Sequence, residues 1–212
     1  MQVKTNSFGH FEIPENLLKA HYYEQIPMDF YERVSSQVTP IVENSEKQSP
    51  LLITANLPKV LDWLHDQDQP SVLENHVCDI PLLLYDHELS TEKILFHYDG
   101  TPPSARIIKN FITLFLPLIR ESQATIISPC FIPKSKQAEE QELIQLITNS
   151  TKETSFIKFN FTKIGDFWSY ATKNKCTLLV TTKNYQAELA KVLFLFYKGE
   201  RWYDQLSFYL AK

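Results

Sequence analysis

The sequence predicts an α/β fold: a five-stranded, doubly wound parallel sheet over residues 92–212, preceded by an abbreviated, related copy over residues 1–88. Three observations predict it. From residue 90 onward, apolar runs of strand length alternate with amphipathic stretches of helix length, the pattern of strands joined by helical crossovers. A short motif near residue 51 recurs near residue 178. Hydrophobic residues make up 43% and charged residues 22% of the 212, the mix of a folded chain with a sizeable core.

Ile94 to Tyr98 is the first strand of the larger unit, ended by Asp99-Gly100. Pro102 and Pro103 stand where a helix tolerates proline. Ala105 to Arg120 then places Ile107, Ile108, Phe111, Ile112, Leu114, Phe115 and Leu118 at helical spacing, with Pro117 expected to kink or shorten the helix. Thr125 to Phe131 is the second strand and Gln137 to Ile147 the next helix. Ser155 to Phe161 alternates, with Ile157, Phe159 and Phe161 on one face and Phe156 breaking the pattern. Ile164 to Asn174 is a helix, Thr177 to Thr182 a strand, Ala187 to Tyr197 a helix, and Leu206 to Leu210 the last strand.

The first copy is read from the repeat. Leu51-Leu52-Ile53-Thr54 matches Leu178-Leu179-Val180-Thr181 at an offset of 127 residues. Each is followed by a helical segment, Pro58 to His65 or Ala187 to Tyr197, and then by a second apolar run, Pro81 to Tyr85 or Leu206 to Leu210. Phe30 to Val42 is a further helix candidate. Residue 94 minus 127 is negative, so the first copy lacks a counterpart of the Ile94 to Arg120 strand and helix and is incomplete or rebuilt. The boundary falls near His87 to Thr91, a polar joint without proline or glycine.

Composition excludes several functions. Lys+Arg is 21 against Asp+Glu 25, a net charge of -4, so no basic excess is available for nucleic acid. The longest apolar run, Phe111 to Ile119, contains Thr113 and Pro117 and is far shorter than the roughly 20 residues of a membrane span. Met1 to Phe11 is mostly polar, unlike a secretory leader. Cys78, Cys130 and Cys176 have no CxxC spacing, which fits a reducing compartment without structural zinc; a cytoplasmic location is expected. The glycines are Gly9, Gly100, Gly165 and Gly199, so neither a Walker loop nor GxGxxG can be written.

The stretch Lys93-Ile-Leu-Phe-His-Tyr-Asp99-Gly100-Thr101, followed by a small-residue turn and a long amphipathic helix, resembles the opening of a universal stress protein domain. Thr177 to Thr182 and Leu206 to Leu210 resemble the fourth and fifth strands of that family, and Ser71 to Leu84 in the first copy resembles its last helix end, turn and fifth strand. The resemblance implies strand order 3-2-1-4-5, a tandem arrangement and a stress-response role. It also implies a homodimer through the fifth-strand edge. The family's nucleotide-binding members carry a glycine-spaced phosphate loop after the fourth strand. Ala55 to Pro58 and Thr182 to Tyr185 stand there without any glycine. The resemblance therefore points to the fold more than to ATP.

Asp99, Gly100 and Thr101, with Thr181, Thr182 and Lys183, are the candidate ligand-binding residues, because they lie at strand ends where open α/β sheets bind ligands. The bland reading makes Asp99 a turn and helix cap and leaves the Thr181 edge a solvated turn. His97 is expected as a buried core histidine and Cys130 as a buried thiol. No HExxH, His pair at helical spacing or GxSxG is present, so no metal site or catalytic residue is assigned. Leu82, Leu84, Leu206, Phe208 and Leu210 are interface candidates, within one chain or between two, and the aromatics from Phe194 to Tyr209 join them. The expected protein is non-enzymatic and regulatory. It acts through an unidentified protein partner or small ligand, with no cofactor, nucleic acid or membrane. A nucleotide binder or slow nucleotidase using Asp99 with ATP, and an interaction module, are the alternatives.

Overall fold

The structure is a computed structural model that describes residues 9–22, 50–196 and 206–212. The helix expected over Phe30 to Val42, and Tyr197, Trp202 and Tyr203, lie outside the described residues. A short 3-10 turn, Glu15–Leu17, leads into β1 (Leu18–His21). Then come β2 (Leu52–Asn56), α1 (Leu57–His65) and β3 (Leu82–Tyr85). The second half runs β4 (Lys93–His97), α2 (Pro102–Ile119), β5 (Gln123–Ser128), α3 (Lys134–Ser150) and β6 (Glu153–Lys158). It closes with α4 (Ile164–Lys173), β7 (Leu178–Thr182), a 3-10 turn at Lys183–Tyr185, α5 (Gln186–Phe196) and β8 (Ser207–Ala211).

One sheet of eight strands holds all of this, in the order β1-β2-β3-β8-β7-β4-β5-β6. This corrects the expected five-stranded sheet: β1, β2 and β3 join the same sheet. The pairs β1/β2 and β3/β8 are antiparallel, and every other neighbouring pair is parallel. The joint between the halves is the β3/β8 ladder, with Leu82 opposite Leu210, Leu83 opposite Tyr209 and Leu84 opposite Phe208. All six side chains are fully buried. Strands covered on both faces read as continuous apolar runs, which is why Leu82-Leu83-Leu84 shows no alternation. Each such side chain contributes about 1.5–3 kcal/mol of apolar burial.

The repeat extends to strand register. In the first half Ile53 faces Leu82 and Thr54 faces Leu83; adding 127 to each number gives Val180 opposite Tyr209 and Thr181 opposite Leu210, the observed pairs. The strand beside β2 differs from the one beside β7. β4 runs parallel to β7, whereas β1 runs antiparallel to β2.

Helices cover both faces. Leu57, Val60, Leu61 and Leu64 of α1 share one core with Phe167 of α4 and Leu189 and Leu193 of α5. Ile108, Phe111 and Phe115 of α2 share the other with Leu143 and Ile147 of α3. Proline at 117 does not stop α2, which continues to Ile119. It falls in the last turn, where a lost hydrogen bond matters least. Strand β6 ends at Lys158, so Phe159 and Phe161 fall beyond it, stacked with ring centroids 5.2 Å apart. Among the described residues, no helix is long and apolar enough to cross a membrane.

Candidate functional site

The site is built where β4 and β7 lie side by side. α2 leaves β4 toward one face and α5 leaves β7 toward the other, so a crevice opens at the carboxyl ends of these strands. A cleft of about 350 Å³ occupies it. His97 to Asp99 after β4, Ile127 and Pro129 of the β5 end, Phe159 to Thr162 after β6, Phe167 and Tyr185 form its lining.

Asp99 begins a tight turn in which Gly100 has φ +82°, a conformation that favours glycine. Oδ1 of Asp99 accepts from the Thr101 backbone N–H at 2.9 Å and from its hydroxyl at 2.6 Å. Thr101 in turn caps α2 by accepting from the Ser104 N–H at 3.4 Å. Half-burial alone would raise the Asp99 pKa, but hydrogen bonds from Ser104 and Thr101, with His97 nearby, hold it below the ordinary carboxylate value. Asp99 thus combines the turn-capping role with a place in the cleft wall.

His97 lies beneath it, 5% exposed, its Nδ1 2.9 Å from the Thr181 hydroxyl. Burial lowers its pKa to about 4 against the opposing pull of Asp99, so the ring is neutral at pH 7. Its face meets Phe167 at 4.1 Å and Tyr185 at 5.6 Å between centroids. Phe161 meets Phe167 edge-on at 5.1 Å. Burial, with Asp99 and other carboxylates adding, raises the Tyr185 pKa. The Tyr185 hydroxyl donates to the Thr162 carbonyl at 3.4 Å.

The other expected site residues are engaged elsewhere. Thr181 is buried under His97, and Thr182 accepts from the Asn184 N–H to cap the short turn. Lys183, expected at a solvated edge as an anion ligand, is 1% exposed. Its Nζ pairs with Glu74 Oε1 at 2.5 Å and donates to the carbonyls of Ile80 at 2.6 Å and Cys78 at 3.1 Å. Its charge is spent on holding the segment before β3. Leu82, Leu84, Phe208 and Leu210 make the β3/β8 joint, and Leu206 is buried just before it. With β7 on one side and β3 on the other, β8 has no free edge. Cys130, expected to be buried, is exposed.

Sequence reasoning did not find Phe159, Asn160, Phe161, Thr162, Phe167 or Tyr185 as cleft residues. Phe159-Asn160-Phe161 looked like the end of an alternating strand, and only its turn into the crevice reveals the role. A second cluster was also unforeseen: Ser128 donates to Glu140, and Lys158 pairs with Glu140 and reaches the Ser128 hydroxyl at 3.2 Å. Ser128 is 0% exposed, and the cluster ties α3 to β5 and β6. No group of three or more metal-ligating side chains occurs among the described residues.

No family model and no curated protein matches this chain. Among solved structures, it is similar to protein Rv1636 from Mycobacterium tuberculosis H37Rv at 14% identity and a TM-score of 0.33. That match covers 42% of this chain and 69% of the other. A protein from the universal stress protein family of Burkholderia pseudomallei is similar at 9% identity and a TM-score of 0.33, over 49% of this chain and 87% of the other.

Proposed function

We propose that the chain is a non-catalytic, cytoplasmic regulatory protein of universal stress type, two related halves in one chain, that binds a small ligand in the cleft beside Asp99. Numbered from β4, the all-parallel run β6-β5-β4-β7-β8 has the order 3-2-1-4-5, and the register match at an offset of 127 supports duplication. The observation that carries the ligand reading is the wall of the cleft. Five phenylalanine and tyrosine rings and one carboxylate line it, with no lysine or arginine among the lining residues. Such a wall favours a planar ligand that is uncharged or cationic and offers hydroxyl or amine donors to Asp99. A triphosphate would bring its charge toward Asp99 without a cation to meet it. Ionised Asp99 and neutral His97 are each tied to a threonine. That arrangement suits holding a ligand more than moving a proton.

Thermal shift measured with adenosine and with ATP–magnesium tests both parts. A ligand at a hundredfold excess over its dissociation constant adds about 2.7 kcal/mol, which raises Tm by roughly 5–10 °C for a chain of this size. A saturating rise with the nucleoside, weaker with ATP and lost in Asp99→Ala, is the expected result. A stronger rise with ATP would favour the nucleotide-binding alternative. No rise with either would remove nucleosides and leave the cleft to another planar ligand class.

A further inference from the structure

Cys78, Lys183 and Glu74 form a cluster outside the cleft that ligand binding does not use. The Lys183 Nζ donates a hydrogen bond to Cys78 Sγ at 3.3 Å. Both sides of this contact are fixed. The amine is held by Glu74, by Ile80 O and by Cys78 O. The cysteine is held by its own N–H donating to Glu74 Oε2 at 3.1 Å and by a weak Sγ–H contact with Ile80 O at 3.7 Å. Lys183 and Glu74 are each 1% exposed, whereas Cys78 is half-buried. Of the three residues, Cys78 is the one with partial exposure.

We propose that Cys78 and Lys183 are a redox modification site, at which a peroxide oxidises the sulfur and the lysine amine closes a sulfur–nitrogen bond onto it. In the first step the peroxide O–O bond breaks, sulfur takes one oxygen and loses two electrons, and the peroxide is reduced: Cys–SH + H2O2 → Cys–SOH + H2O. In the second, Lys183 passes a proton to Glu74 and its nitrogen attacks sulfur. The S–N bond forms as S–O breaks, and the leaving hydroxide takes a nitrogen proton to become water. The net change is Lys–NH3⁺ + Glu–COO⁻ + Cys–SOH → Lys–NH–S–Cys + Glu–COOH + H2O. The buried ion pair becomes a neutral pair, so no charge is stranded in the interior. The bond joins the segment before β3 to the end of β7, across the two halves. The other thiols lack this environment: Cys176 is buried, which pushes its pKa up to about 11, and Cys130 is exposed on a loop.

The test is hydrogen peroxide titration of the full chain carrying Cys130→Ser, followed by tryptic mass mapping without reductant. The expected product joins the peptides of Cys78 and Lys183 at about 2 Da below their summed mass. Trypsin no longer cuts after Lys183, and dithiothreitol restores both peptides. Dimedone present during oxidation diverts the sulfenic acid and suppresses the link. Cys78→Ser, with its fold checked by circular dichroism, gives no linked peptide. Recovery of Cys78 as free thiol, as a lasting dimedone-reactive sulfenic acid, as sulfinic acid or in a disulfide, with Lys183 cut normally, overturns the proposal. So does a linked peptide in Cys78→Ser.

Discussion

The units β2–α1–β3 and β7–α5–β8 share a strand register and a buried contact, and the cleft described above lies beside the second. Thr54 and Thr181 stand 127 residues apart, and each is bonded by a buried histidine from the neighbouring strand. His21 Nε2 lies 3.0 Å from the Thr54 hydroxyl, and His97 Nδ1 lies 2.9 Å from that of Thr181. The neighbours run in opposite directions, β1 antiparallel and β4 parallel. Beside β7 both strands deliver their carboxyl ends to one edge and their helices to opposite faces, which leaves a crevice. Beside β2 the edge is met by the start of β1, with Leu18 opposite Ala55. One reversed strand therefore separates the surroundings of the two otherwise matching strand pairs.

The halves differ most at Lys183, whose counterpart at the repeat offset is Asn56. Lys183→Met strands Glu74 in the interior and is expected to cost about 3–5 kcal/mol. Asn56→Ala removes only the acceptor that caps α1, a loss of about 1 kcal/mol. Urea denaturation of both checks the asymmetry, and Lys183→Met with Glu74→Leu should recover part of the larger loss. Equal costs for the two single variants would break the contrast.

Acid titration tests what the halves share. Burial lowers the pKa of both histidines to about 4, with Lys19 adding to the effect on His21 and Asp99 opposing it on His97. The unfolded chain, with histidine pKa about 6.5, then binds protons that the native chain does not. Their contribution is fully present above pH 6.5 and is lost as pH falls toward 4. Two such groups give a slope approaching about 2.7 kcal/mol per pH unit within that window. Either His21→Gln or His97→Gln should halve the histidine part of the slope, and a fall carried by one histidine alone would sink the equivalence.

Smaller effects sharpen the cleft side. An added Cβ at Gly100 would meet Ile132 at 3.6 Å, an ordinary contact, but φ is +82°. Gly100→Ala should therefore cost about 1 kcal/mol through backbone strain alone. Gly165 in α4 has open space around it, so Gly165→Ala should stabilise by about 0.5–1 kcal/mol. Thermal denaturation of the pair distinguishes the signs.

Much of the fold was legible because strands and helices announce themselves by local periodicity. Ile94 to Tyr98 became β4 shifted by one residue, and Leu206 to Leu210 became β8 shifted by one. Asp99 was legible as a strand-end carboxylate. The aromatic wall was not, because Phe159 and Phe161 keep a strand-like spacing after pairing has ended. Lys183 was misread as solvated because its partner, Glu74, lies 109 positions earlier, and no local pattern links them.

By itself the sequence determined the α/β alternation, the repeated strand pair and the lack of glycine phosphate loops, since each is written in neighbouring residues. Only the tertiary structure decided that the two halves share one sheet, that β1 runs backward beside β2, and that a cleft opens beside β7. Those outcomes depend on strand direction and on contacts between distant segments, which register and packing settle after the local elements have formed.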